Sequence, residues 1–75
     1  MDETKATAAI LRKARKMQGL SQMEVANQAE INLGQYQRLE YGTRDFSACS
    51  MKVGLSVCYV LHLDPFLLVL HKTEW

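Results

Sequence analysis

The chain carries one proline and four glycines in 75 residues. So few breakers exclude a proline- or glycine-rich linker and leave room for long regular elements. Alternating runs of Val and Ile are missing, so the period of a half-buried strand is missing too. The two cysteines, Cys49 and Cys58, are too few for the disulfide framework of a small secreted domain, and they fit a reducing compartment. They also lack zinc-finger spacing. Cys58 and His62 stand four apart and can share a helix face, but a metal site needs more ligands. Neither a metal nor a cofactor is expected. No long apolar run survives uninterrupted, because His62, Asp64 and Pro65 break residues 53–70. A membrane span is therefore not expected. The start of the chain is acidic (Asp2, Glu3) and has no leader-like apolar stretch, so a cytoplasmic protein is the expectation. Paired carboxylates in a cleft pattern, a glycine-rich phosphate loop and an oriented Cys–His pair are all lacking, and no enzyme is expected.

Charge is also scarce. The formal net charge is +1, which is little for a nucleic-acid binder. Its distribution is uneven, however: seven of the nine basic residues precede residue 45. Arg12, Lys13, Arg15 and Lys16 cluster near the end of the first expected helix, where they also suit its dipole.

What is present is helical punctuation around a hydrophobic fraction of 48%, which is ordinary for one folded domain. A first helix is expected from about Thr4 to Gln18, with Ile10, Leu11, Ala14 and Met17 at helical spacing and Gly19 as its stop. Ser21 with Glu24 forms a capping box that opens a short second helix, ending near Ala29 or Glu30, whose narrow stripe is Val25, Ala26 and Ala29. Asn32 with Gln35 repeats the pattern for a third helix, stopped by Gly42. Tyr36 and Leu39 point to its core side, leaving Gln35, Gln37 and Arg38 outward. Residues 42–49 read as a loop. Ser50 caps a fourth helix over Met51–Leu61, and Asp64-Pro65 opens a fifth that runs to about His71. The expected fold is all-α, a compact five-helix bundle in a single domain.

The stretch Leu20-Ser21-Gln22-Met23-Glu24-Val25-Ala26, followed by Leu39-Glu40-Tyr41-Gly42, resembles the Cro/phage-repressor (XRE-type) helix-turn-helix family. Arg15, six residues before the serine, and Val60-Leu61-His62-Leu63-Asp64 also fit, so the likeness spans residues 10–68. Two departures stand out. Glu30 and His62 occupy positions where the family usually has glycine, and a left-handed backbone there costs a non-glycine residue roughly 1 kcal/mol.

The resemblance implies a lambda-repressor-like bundle whose third helix enters the major groove of double-stranded DNA. Its implied base contacts are Leu33 to a thymine methyl, Gln35 or Gln37 to adenine, and Arg38 to guanine, while Gly34 has nothing with which to read. Gln22 is the implied backbone clamp, and Thr43 and Arg44 are further backbone candidates. Tyr41 reads equally as a backbone contact or as plain surface. Arg15 and Glu40 correspond to a buried structural ion pair. Two copies on neighbouring half-sites would supply affinity. Phe66-Leu67-Leu68-Val69-Leu70 is apolar in every direction around a helix. A homodimer through residues 63–75, with Phe66, Leu67, Val69 and Leu70 at the interface and Trp75 joining, is one expectation. A helix tucked wholly into its own core is the other. The rival function is a protein-interaction or antitoxin-type module with a protein partner and weak DNA binding.

Overall fold

Side-chain acceptors at Ser21, Asn32 and Ser50 start three of the helices, and left-handed residues end several of them. The computed structural model describes residues 3–65 and residue 68, with the side chains of residues 3 and 4 left aside. Helix α1 spans Glu3–Met17 and gives way to Gly19 at φ +69°. Helix α2 (Gln22–Gln28) carries a complete capping box. Ser21 Oγ accepts from the Glu24 amide at 3.0 Å, and Glu24 Oε1 accepts from the Ser21 amide at 2.8 Å. Helix α3 (Leu33–Tyr41) repeats the device with Asn32 and Gln35, at 2.8 and 3.2 Å, and closes on Gly42 at φ +78°. Helix α4 (Met51–Leu61) starts on the Ser50 hydroxyl and stops at His62, whose φ is +57°. Caps of this type contribute about 1 kcal/mol each, a large share for helices of two turns.

Among the described residues the fold is all-helical and compact, with four α-helices and no strand. Residues 65 and 68 are also helical, and the Leu68 amide donates to the Asp64 carbonyl at 3.1 Å. The remainder of the fifth helix expected over 65–71 lies outside the described residues, as do Phe66, Leu67, Val69, Leu70 and Trp75 of the expected dimer interface.

Packing explains the short α2. Val25, Ala26 and Ala29 are buried, and α2 packs on both α3 and α4. Alanines on that stripe bring the neighbouring backbones close. Tyr36 and Leu39 of α3 meet Val57, Cys58 and Leu61 of α4 in one cluster that also takes in Leu11 and Leu68. Helix α1 crosses α3 at Gly42, where an added Cβ would lie 3.3 Å from Lys5 Cγ and 3.6 Å from Ala8 Cβ.

Two sequence expectations need correction. Ile10 and Met17 belong to the expected apolar spacing of α1, yet they are 42% and 77% exposed. The buried line of α1 is Thr7, Ala8 and Leu11, continued by the partly buried Ala14 and Arg15. The helix is rotated toward the position that lets Arg15 reach Glu40, and Ile10 moves off the core side. Residues 42–49 also hold more than a loop. Asp45 caps a 3₁₀ turn over Phe46–Ala48, its Oδ1 accepting from the Ser47 amide and hydroxyl, and Phe46 is buried. Gly54 faces that ring, with the Phe46 Cε1 atom 3.5 Å from where a Cβ would stand.

Candidate nucleic-acid interface

The site is built on one ion pair between a buried carboxylate, Glu40, and a partly buried guanidinium, Arg15. Arg15 Nη2 and Nε donate to the two carboxylate oxygens of Glu40 at 2.7 and 2.8 Å, a two-pronged pairing. Arg15 Nη1 donates to the Leu20 carbonyl at 2.9 Å, so α1, the α1–α2 turn and α3 are tied together. Burial by itself would raise the Glu40 carboxyl's pKa. The hydrogen bond from Arg15, with help from Tyr36 and Gln22, outweighs that, and the net shift is downward. The Arg15 guanidinium is correspondingly held above its usual range, chiefly by its hydrogen bond to Glu40. Tyr36 is fully buried against this pair. Its hydroxyl lies outside strict hydrogen-bond geometry with either partner, and burial followed by Glu40 pushes its pKa up.

Glu40 takes a further donor from α2. Gln22 Nε2 donates to Glu40 Oε1 at 3.2 Å. The Gln22 carbonyl oxygen then accepts from Gln37 Nε2 at 3.2 Å and from the Tyr41 hydroxyl at 3.4 Å. Ion pair and surface polar groups thus form one connected network across α2 and α3. Gln22 retains one free N–H; Gln37 retains one N–H and its carbonyl oxygen.

The outer face of α3 is the side away from Tyr36, Leu39 and Glu40. Gly34, Gln35, Arg38 and Tyr41 are exposed there, and Leu33 and Gln37 are half-buried at its α2 edge. Gln37 therefore departs from the fully outward orientation expected for it, because Gln22 draws its amide sideways. Gln35 is exposed, but its carbonyl oxygen is engaged by its own N-cap. On the other flank a cleft of about 230 Å³ runs between α3 and the start of α4. It is lined by Gln35, Arg38, Leu39, Arg44, Cys49, Ser50 and Val53, so two guanidinium side chains border it. The Thr43 hydroxyl is turned inward, donating to the Arg38 carbonyl at 3.3 Å.

The turn between the two helices carries the strain that its sequence implies. Glu30 has φ +59°. The Ile31 amide donates to the Ala26 carbonyl at 3.0 Å and the Glu30 amide to the Asn27 carbonyl at 3.2 Å, which closes α2 and redirects the chain into Asn32.

Arg15, Gln22, Gln37, Glu40 and Tyr41 form one hydrogen-bonded chain, whereas Arg38 and Arg44 border the opposite cleft. Sequence reasoning paired Arg15 with Glu40 through the resemblance, and the structure has that pair, but it named the other residues one by one and missed the links that join them. Gln22 and Gln37 are fifteen positions apart on different helices, so no spacing rule within a helix pairs them. Burial pushes the pKa of the Cys58 thiol up to about 11 and raises that of the half-buried Cys49, whose Sγ donates to the Phe46 carbonyl.

Comparison with known proteins returned no matching family, no matching curated protein and no matching solved structure.

Proposed function

We propose that this chain is a sequence-specific DNA-binding domain of the Cro/phage-repressor helix-turn-helix type, a five-helix lambda-repressor-like bundle acting in the cytoplasm as a homodimeric transcriptional repressor. The observation that carries the reading is the α2–turn–α3 unit itself. Two short capped helices meet at a left-handed residue, Glu30, and the second turns a polar, solvent-exposed face outward. Such a helix has the width of the B-DNA major groove, and its early residues are the ones that reach base edges.

Roles follow from position. Arg38 is exposed on the outer line of α3 and takes guanine through a two-pronged contact; Gln35, Gln37 and Leu33 flank it. Gln22 retains a free N–H beside that face and serves the phosphate backbone, with Tyr41 next to it and Thr43 and Arg44 on the far flank. Arg15 and Glu40 position Gln22 and touch no DNA. The chain acts without a cofactor and without catalysis, and two copies associate through residues 63–75.

Selection from random duplex DNA at two salt concentrations tests this. An enriched motif of two related half-sites is expected, and a motif-free pool at both salts would defeat it. One observation favours a second reading, a protein-interaction module. Met51, Leu55 and Tyr59 form an i, i+4, i+8 ridge on α4 and are 78%, 48% and 84% exposed. That reading is preferred if selection fails while the ridge variant Leu55→Lys abolishes association with a protein encoded beside this chain.

A further inference from the structure

The outer line of α3 has a gap in its side chains. Gly34 lies there one turn before Arg38, exposed, on the side away from the core. Nothing inside the protein calls for a glycine at this position: an added Cβ would meet only Asn32 Oδ1, at 3.4 Å, an ordinary contact. Glycine weakens a helix relative to alanine, so the fold itself gains nothing from it. Both nearby glutamines are drawn away from the gap. Gln37 donates sideways to Gln22 on α2, and Gln35 folds back onto the Asn32 amide. What remains is a patch of bare backbone bordered by Leu33, Gln37 and Arg38. The space over it is open, with Asn32 Oδ1 at 3.4 Å from where a Cβ would stand and no side-chain atom of Gln37 or Arg38 within 4 Å of it.

We propose that this patch receives the 5-methyl group of a thymine, so that α3 reads an A·T pair by close approach of its backbone at Gly34, beside the guanine read by Arg38. Thymine alone projects a methyl group into the major groove, and such a group calls for close apolar contact and not a hydrogen-bonding side chain. The inference rests on the DNA-binding reading above and specifies which base its least equipped position reads.

The test uses the full chain and the duplex that selection returns, with each thymidine replaced in turn by deoxyuridine. Loss of the methyl at one position of each half-site should weaken binding about fourfold, and this position, unlike any thymine under Leu33, should lose its sensitivity in Gly34→Ala. Gly34→Ala puts a methyl group into the space through which the backbone would approach the base. It should raise the thermal midpoint by about 4 °C and weaken binding to the thymine duplex. It should also leave that variant indifferent to deoxyuridine at that one position. A selected motif without an A·T pair would overturn the proposal. So would a motif in which no single methyl matters, or one whose sensitive positions all stay sensitive in Gly34→Ala. Failure to select any motif removes the DNA-binding reading first, and the proposal with it.

Discussion

Glu40 holds the most consequential carboxylate of the described chain. It is 1% exposed and accepts from Arg15 and Gln22. Removing one partner strands a buried charge, so Arg15→Ala should lose roughly 3–5 kcal/mol in chemical denaturation. The double change Arg15→Met with Glu40→Leu should recover most of that loss. If the two single losses simply add, the pair is not coupled. The pH dependence has a definite sign. The folded Glu40 pKa lies below its ordinary value of 4.5. Its stabilisation is therefore full above the unfolded pKa and disappears as pH falls through the lower, folded one. Stability measured from pH 7 down to pH 3 should fall in the acid limb, and Glu40→Gln should flatten that limb while lowering stability at neutral pH. The proposed binding residues separate in a different assay. Arg38→Ala should relax one base position of the selected site at a cost of about 1–3 kcal/mol, whereas Arg44→Ala should weaken all sites alike and reduce the salt slope by about one.

At the scale of elements, stability is concentrated at ends and turns. Helices of seven and nine residues are too short to stand alone, and their caps and tertiary contacts hold them. Glu30 and His62 are the non-glycine residues at positive φ among those described. Glu30→Gly and His62→Gly should each stabilise by about 1 kcal/mol, seen as a rise of roughly 4–8 °C in thermal midpoint. An unchanged midpoint would mean that their side chains contribute interactions offsetting the backbone strain. Gly42 should behave in the opposite sense. It combines φ +78° with the close passage of Lys5, so Gly42→Ala should cost more than the backbone term of about 1 kcal/mol alone. Much of this punctuation was legible beforehand. Ser21/Glu24, Asn32/Gln35, Ser50 and Gly42 are local signals, and a cap depends on residues three apart.

At the scale of the whole molecule, the near-neutral charge sets what kind of binding is expected. A net charge of +1 provides little long-range attraction, and among the described residues the proposed contact face has Arg38 and Arg44 at its cleft. A single copy should therefore bind weakly, and affinity should come from pairing copies on one site. Sedimentation of the full chain at high micromolar concentration should show a dimer; a monomer there would remove the pairing reading. No helix among the described residues is long and apolar enough to cross a membrane.

The sequence by itself determined the four described α-helices and their approximate ends, because the 3.6-residue period and the capping acceptors act within one or two turns. It also marked Arg15 with Glu40 and the strain at Glu30, through a resemblance covering residues 10–68. Tertiary structure alone decided the rotation of α1, the burial of Phe46 and the polar network. Ile10 and Thr7 are equally compatible with an amphipathic helix. Only the reach of Arg15 to Glu40 across 25 positions selects the side that faces inward. Phe46 lies among turn-formers, and its burial follows from the space left over Gly54. The link from Gln22 to Gln37 exists because α2 and α3 are brought together by buried alanines on α2 and a buried carboxylate on α3. No local rule encodes that distance.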